Sequence, residues 1–510
     1  MQINAINRSI PDYIEGYGPL AAYEGRQARE AVNNAASKLK STLAEALLDA
    51  GIKDGMTISF HHHLRDGDYV LNMVMDDIAR LGIKNLTLAA SSLQNVHEPI
   101  IRHIKDGVVA AIITSGIRGA LGKEISYNDI LGRPVVFQSH GRRAAAICGG
   151  ETAIDITFIA ASSADKMGNM SGKSGKSAFG SMGYALVDAE YAGKVICITD
   201  NLVDYPLACP SIYQTYVDAV VVIDEIGDAA RIASGATRTT RSATEQLIAD
   251  FAGKVLIEAG MVAPGFSFQA GSGGISLGVL SYLADYMTKN SIVGSFISGG
   301  ITSSSVELLE AGLFRALLDT QTFDANAVAS FIRNRRHIEM SASMYANPYA
   351  KGCVANLLDV MILSATEVDV DFNINVLTGS NGVILGAVGG HPDTAECAKI
   401  TVVTAPSVRK NMPIIRERVT TVVTPGEFID IVVTDIGIAV NPRRSDLVGK
   451  LAGAGLPIVS IHEIKDAAYA QVGAPAELEA DDECIVGIVE SRDGTVLDVI
   501  KKLRPKRVDA

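Results

Sequence analysis

The chain has 510 residues, a net charge of −12 and 48% hydrophobic residues. That length exceeds what a single hydrophobic core supports, so at least two domains are expected. The acidic balance excludes a basic nucleic-acid groove spread over the surface, and no apolar run approaches the ~20 residues that cross a bilayer.

The opening stretch, MQINAINRSIPDYIEGYGPL, has neither a basic start nor an apolar segment, so no secretory leader is expected and the chain reads as cytoplasmic. Residues 26–50 carry apolar side chains at helical spacing and much alanine, which predicts an amphipathic helix ending at Gly51. Strands are then predicted at Met56–Phe60, Leu86–Ala90, Val109–Thr114, Val135–Gln138, Ile156–Ala160, Val195–Thr199 and Ala219–Ile223, with helices at Tyr69–Leu81 and Ala178–Ala192. A small, polar and charged run around 225–245 separates these from a second series. Its strands are predicted at Val293–Ile297, Val360–Leu363, Val368–Val376, Ile400–Thr404, Val419–Val423 and Ile431–Thr434. The segment AGAGLPIVSIHEIKDAAYAQVG reads as a strand plus a helix. Alternation of this kind predicts an α/β fold with largely parallel sheets. The expected organisation is a helical extension over 1–50, a first α/β domain over 51–230 and a second over 231–510. A site would lie between the domains, outside the carboxyl ends of the strands.

Six cysteines, Cys148, Cys197, Cys209, Cys353, Cys397 and Cys484, are scattered without a CxxC pair. They read as reduced thiols rather than as a zinc or disulfide framework. The stretch GNMSGKSGKS, Gly168 to Ser177, invites comparison with a phosphate-binding P-loop but fails on spacing. The position five residues before Gly172 is Met167, and before Gly175 it is Met170, where that motif needs glycine. Its lysines could still meet an anionic substrate. His61, His62 and His63 follow a strand directly, and three adjacent imidazoles splay too widely to share one metal, so no metal site is expected.

After the strand ending near Gln138 come His140, Arg142 and Arg143, suited to a carboxylate-bearing ligand or equally to a solvated surface loop. The segment QAGSGGISLGVLSYL runs from a glycine turn into a helix, whose first N–H groups can serve as oxyanion donors. Helix–strand packing is the simpler explanation of the same glycines. A second dense loop, TGSNGVILGAVGGHPDTA, holds no acid, histidine or cysteine in its first half. Loops of this kind let the backbone approach an oxyanion closely.

Several long segments resemble coenzyme A transferases. HGRRAAAICGGETAIDITFIAASSADKMGN and GYALVDAEYAGKVICITDNL resemble the first half of such an enzyme. FQAGSGGISLGVLSYL, SFISGGITSSSVELLEAGL and SNGVILGAVGGHPD resemble the second. Over residues 20–510, including NVHEPIIRHIKDGVVAAIITSGIRGALG, the chain is more closely similar to the citrate lyase α-subunit family. The resemblance implies two coenzyme A transferase-type α/β domains and a transferase that converts citrate and acetyl-carrier into citryl-carrier and acetate. Its co-substrate would be the prosthetic arm of an acyl-carrier (γ) subunit, or coenzyme A, with no cofactor bound covalently to this chain. A citryl-lyase (β) subunit would complete a hetero-oligomer. Neither nucleic acid nor membrane enters this picture.

Many coenzyme A transferases carry an S-E-N-G loop whose glutamate becomes acylated. Here the matching residues read GSNG, with Ser380 where that glutamate would stand. The resemblance therefore implies direct attack of a citrate carboxylate on the acetyl thioester, through a mixed anhydride. Ser380, Asn381 and Gly382 are the expected catalytic turn. His140, Arg142, Arg143, Asn169, Gly271, Ser272, Gly273, Gly274, Gly386, Gly389 and Gly390 are expected to bind substrate. A citramalate lyase α subunit, an acetate coenzyme A transferase and a non-catalytic metabolite sensor or scaffold are the rival readings.

Overall fold

The computed structural model describes residues 1–3, 6–22, 38–233, 242–271 and 273–504. Two compact units are present, Met1–Lys38 and Leu39–Ala510. In the first, Gln2–Ile3 pairs antiparallel with Ser9–Ile10, and Tyr13–Ile14 with Gly18–Pro19. Residues 26–37 of the predicted long helix lie outside the described residues. Within the second unit that helix covers only Leu43–Asp49, because Thr42 caps it by accepting the Glu45 N–H while Glu45 reaches back to Ser41 N. Just before it, Leu39–Lys40 is a strand.

The larger unit is built on two sheets. The first runs Val496–Leu503, Ala480–Glu490, Val135–Phe137, Val109–Thr114, Leu86–Ala90, Thr57–Phe60, Ile156–Ala161, Lys194–Thr199, Ala219–Val222, Leu39–Lys40. The second runs His337–Glu339, Phe314–Thr322, Gly294–Ile301, Phe268–Ala270, Val360–Ser364, Ile400–Thr404, Ile431–Val433, Ile438–Val440. In each sheet neighbours are parallel except the last antiparallel hairpin at one edge. Strands such as Ile156–Ala161 and Ile400–Thr404 are buried along their whole length, as parallel strands covered on both faces must be.

The two sheets repeat one topology. In each, a central strand, Thr57–Phe60 or Phe268–Ala270, is followed in sequence by three parallel strands on one side and then three on the other. A small three-stranded sheet accompanies each: Ser163–Asp165 lies between Met170–Ser171 and Leu202–Val203, and Glu367–Asp369 between Ile374–Asn375 and Ile415–Arg416. Even the turns correspond. Asp165 accepts from the N–H and side chain of Asn169, and Asp369 does the same with Asn373, four residues on in both cases.

That turn explains why Val368–Val376 is two short strands instead of one: the Asp369 carboxylate takes the N–H groups of Asp371 and Asn373, and Phe372 adopts φ 68°. Val419–Val423 forms no strand. Val419 N, Thr420 N and Val422 N go to the side chains of Asp369, Glu367 and Asp498, and only Val423 N reaches a main-chain carbonyl, that of Ile374, which leaves no ladder to build.

The halves interlock. Leu377, Ile384 and Val388, from the second half of the sequence, pack into the core of the first sheet with Val486, Val489 and Ile500. The strand Ala480–Glu490 pairs with Val135–Phe137, so the first sheet draws on both halves of the sequence. Reciprocally, Ser181 and Met182 of the first half bond to Asp319, Thr322 and Glu339 of the second.

Candidate active site between the two sheets

A cleft of about 480 Å³ opens where the carboxyl ends of the two sets of strands meet. In each sheet this is the point at which strand order reverses around the central strand, the usual ligand position in open α/β sheets. The first half contributes His62 and Arg65 after Thr57–Phe60, Ser115 and Arg118 after Val109–Thr114, and His140 after Val135–Phe137. The second contributes Gly271 after Phe268–Ala270, Thr320–Gln321 from Phe314–Thr322, and a strap from Leu385 to His391. The strap is held by main-chain bonds across the halves: Ile117 N to Gly386 O, Val388 N to Ser115 O, and His140 N to Gly389 O. Gln321 reinforces the join, donating its side-chain amide to His62 O at 3.1 Å.

Although the chain carries a net charge of −12, the described residues lining the cleft include Arg65, Arg118 and Arg409 and no aspartate or glutamate. Arg65 has φ 56° and ψ −138°, a strained conformation for a long side chain, and its guanidinium lies 5.0 Å over the Phe323 ring. Burial, and then the neighbouring Arg118 charge, pull its pKa below the usual guanidinium value. Arg409 reaches in from the hairpin Val408–Arg409/Met412–Pro413 and donates to Ala365 O at 3.2 Å. Cations without a carboxylate partner in a cleft are poised for an anionic ligand.

His62, His140 and Tyr184 form an aromatic cluster, with ring centroids 4.5–5.6 Å apart. The His62 Nδ1 sits 2.6 Å from Ser91 Oγ. Burial drives both imidazole pKa values down, His62 far below its ordinary value and His140 to about 3, with His140 depressing His62 and Arg143 depressing His140. Both rings are therefore neutral near pH 7 and offer hydrogen bonds rather than charge.

Three buried polar atoms at the cleft, Ser115 Oγ, His140 Nδ1 and Thr320 Oγ1, have no partner among the described residues. Ser115 and Thr320 occupy corresponding positions in the two halves, one residue past Thr114 and Asp319. The register of the Gly294–Ile301/Phe314–Thr322 pair shifts there, leaving Thr320 as the extra residue of a bulge, a device that re-aims a side chain. Unpaired buried polar atoms around a cavity are where a polar ligand would bond.

The expected residues divide into those the cleft gathers and those held elsewhere. His140, Gly271, Gly386, Gly389 and Gly390 line it. Gly273 caps the helix Gly274–Lys289, which begins at Gly274, while Ser272 lies outside the described residues. Arg142 and Arg143 are not at the cleft. Arg142 bonds to Glu490 at 2.8 Å and to Glu151, and Arg143 forms a two-pronged pair with Asp188 at 2.7–2.8 Å plus a bond to Ser59. Both arginines are only 4% exposed, and carboxylates neutralise both guanidiniums. Asn169 is the turn partner of Asp165 described above and bonds to Gln214 as well.

Ser380, Asn381 and Gly382 also stand away from the cleft, at the tip of a tight turn in which Gly379 N donates to Val383 O and Gly382 N to Gly379 O. Asn381 accepts the Val383 N–H, and a Cβ on Gly382 would lie 2.7 Å from Leu503. The turn tip thus packs toward the C-terminal hairpin, and the returning strand of the loop reaches the cleft. His391, the nearest imidazole in sequence to Ser380, is committed to Thr424 Oγ1 at 2.7 Å and Ser364 O at 3.1 Å.

The adjacent histidines separate as their alternation requires: His61 faces Asp188 at 3.1 Å, His62 faces the cleft, and His63 contacts Ala160 O and the Phe179 ring. Lys173 lies over the Phe331 ring and Lys176 donates to Asp224 O, so neither lysine of the glycine-rich stretch lines the cleft. Arg65, Arg118, Arg409, Tyr184 and Thr320 escaped the sequence reading. Arg65 was within sight, two residues past the histidine run, but its significance lies in a backbone strain that composition does not display.

The family description "Citrate lyase, alpha subunit (CitF)" matches residues 36–503. Among curated proteins, the citrate lyase alpha chain of Klebsiella pneumoniae is 48% identical over 467 residues, covering 92% of each chain. That of Escherichia coli K12 is 46% identical over 486 residues, covering 95% of this chain and 94% of the relative. Among solved structures, a Streptococcus mutans protein described as the α subunit of citrate lyase in complex with citrate superposes with TM-score 0.91 at 46% identity, covering 98% of this chain and all of that one. A Pseudomonas malonate decarboxylase hetero-tetramer, with TM-score 0.61 and 16% identity over 84% of this chain and 85% of that one, shares the fold.

Proposed function

This chain belongs to the citrate lyase α-subunit family, and we propose that its arginine-lined cleft binds citrate and transfers the carrier thiol from an acetyl thioester to it. The enzyme is a transferase of coenzyme A transferase type. The observation that carries the reading is the lining itself: three arginines and no carboxylate in an acidic protein. Citrate brings several carboxylates, and Arg65, Arg118 and Arg409 are our candidates to meet them. The relative solved with citrate supports the same ligand here.

The lining also bears on mechanism. A coenzyme A transferase that works through an acyl-enzyme needs a carboxylate of its own in the site, and none lines this cleft among the described residues. The nucleophile is then the substrate's carboxylate. One citrate carboxylate oxygen attacks the acetyl thioester carbonyl, the C–S bond breaks, and the thiolate leaves on the carrier. The thiolate next attacks the citryl carbonyl of the mixed anhydride and acetate departs with the C–O bond electrons. Charge and atoms balance without an added reagent.

Each addition places negative charge on a carbonyl oxygen. The strap supplies main-chain N–H groups at Gly389 and Gly390, beside the neutral His140 ring, whose Nε2 is 3.8 Å from where a Gly389 Cβ would lie. Removing one such donor costs about 3–4 kcal/mol of transition-state stabilisation. Holding carboxylate and thioester together removes most of the entropy cost of a bimolecular step.

The carrier arm is the co-substrate, presented by an acyl-carrier subunit, and a separate lyase subunit consumes citryl-carrier. Among the described residues no helix is long and apolar enough to cross a membrane. The discriminating experiment gives the purified chain acetyl-coenzyme A with either citrate or citramalate and compares kcat/KM. A preference for citrate supports this reading, and a preference for citramalate transfers it to the sister activity.

A further inference from the structure

Asp393 has no place in the chemistry above, yet it sits where the two halves meet behind the cleft. It is 0% exposed. One carboxylate oxygen accepts the Ser139 hydroxyl at 2.6 Å and the other accepts the Gly141 N–H at 2.8 Å. Those residues flank His140, whose own N–H donates to Gly389 O at 2.9 Å. The first turn of the helix His140–Cys148 is thus held on both sides by the segment that carries the strap. The approach is so close that a Cβ on Gly141 would lie 2.7 Å from Asp393 Oδ1 and 2.2 Å from Ala346 O. Behind Asp393, Arg492 forms an ion pair at 3.5 Å.

We propose that Asp393, as a carboxylate, is the positioning residue that fixes His140 against Gly389 and Gly390 and so sets the geometry of the cleft for transfer. The inference rests on the function proposed above and adds a residue that acts through others. Burial is the main influence on Asp393 and raises its pKa to about 6, opposed by Ser139, Gly141 and Arg492 and assisted by Glu396. Tyr345 and Tyr184 are pushed above their ordinary range by burial first, and His140 is pushed to about 3. Cys397, at the far end of the same helix, is raised to about 11. Below pH 6 the protonated acid no longer accepts both bonds as a charge, and turnover falls. Stability moves the other way: the folded protein binds this proton more tightly than the unfolded chain does, so protonation between about pH 6 and 4 stabilises the fold. A residue with a merely structural role would give no loss of turnover in that window.

The test uses the whole chain with citrate and acetyl-coenzyme A. In Asp393→Asn the shape and one acceptor remain but the charge is gone. We expect kcat to drop at least about tenfold near pH 7.5, a loss typical of a displaced site. The part of the acid limb near pH 6 that belongs to the enzyme should disappear, leaving only that from citrate's own last ionisation, common to both proteins. Ser139→Ala removes one donor without touching the charge and should move the limb upward in pH. Wild-type kcat and an unchanged limb in Asp393→Asn would overturn the inference. Should Asp393→Asn not fold, an unmoved limb in Ser139→Ala overturns it alone. Absence of turnover in the wild type at every pH would instead defeat the functional reading. The inference is then decided by citrate affinity in calorimetry, where variants indistinguishable from wild type at each pH would sink it.

Discussion

The side-chain amide of Gln321 donates to the main-chain carbonyl of His62 at 3.1 Å, joining the two halves of the molecule at the cleft. Both residues are buried. Gln321→Ala leaves that carbonyl without its donor, a loss of about 1–3 kcal/mol. A fall in the urea midpoint of that order is expected, with a slower transferase because His62 lines the site. Unchanged stability and rate would show that the join forms elsewhere.

Two arginines that look alike in sequence should behave differently. Arg65→Ala removes from the cleft a cation that has no ion-pair partner among the described residues, and citrate KM should rise about ten- to a hundredfold, equivalent to roughly 1.5–3 kcal/mol. Thermal stability should hold, or improve through relief of the φ 56° strain. Arg143→Ala strands the buried Asp188 charge and should cost about 3–5 kcal/mol of stability, the usual result of breaking a buried pair. Steady-state kinetics and urea unfolding of both variants distinguish these roles, and a reversed pattern would return Arg143 to the substrate.

The turn at Ser380 is predicted to be dispensable for chemistry. Ser380→Ala should keep kcat/KM within about twofold, as surface changes do. No acetyl group should appear on its peptide in quenched reactions. Gly382→Val, at φ 79° and against Leu503, should instead destabilise the loop by about 1–2 kcal/mol. An acetylated Ser380 peptide would contradict the direct-transfer route.

Acid should weaken the fold through its buried imidazoles. Burial lowers His63 and His140 to about 3 and His391 to about 4, while the unfolded chain protonates near 6.5. Their contribution is therefore complete above about pH 6.5 and is lost as pH falls toward those folded values. Urea midpoints measured from about pH 7 to 4.5 should decline, and the decline should flatten in His63→Gln, a residue outside the cleft. A profile that rises throughout would mean that raised carboxylates such as Asp393 dominate.

The parallel strands were legible because burial on both faces leaves continuous apolar runs, as in Ile156–Ala161. Phe314–Thr322 was not legible: its sequence FRALLDTQT carries Asp319, Thr320 and Gln321, which are buried for reasons of site and interlock rather than core. The site was legible as glycines and only partly as side chains. A Cβ at Gly386 or Gly390 would meet Val376 O or the Tyr345 hydroxyl, and Gly389 has φ 59°, so each of these positions favours glycine. Arg142 and Arg143 looked available because their partners, Glu490 and Asp188, are remote in sequence. The strand Ala480–Glu490 illustrates the same limit, since its pairing with Val135–Phe137 closes over more than three hundred residues and leaves no local pattern.

Through its own cleft, this chain should move a thiol from an acetyl thioester to citrate without acylating itself. The most direct measurement is mass spectrometry of the products and of the intact protein after incubating the chain with acetyl-coenzyme A and citrate, repeated with the acetylated carrier. Citryl thioester and acetate, no oxaloacetate, and a protein of unchanged mass are expected. A stable acyl adduct on the chain, or no exchange with either thioester, would rule out direct transfer in this cleft.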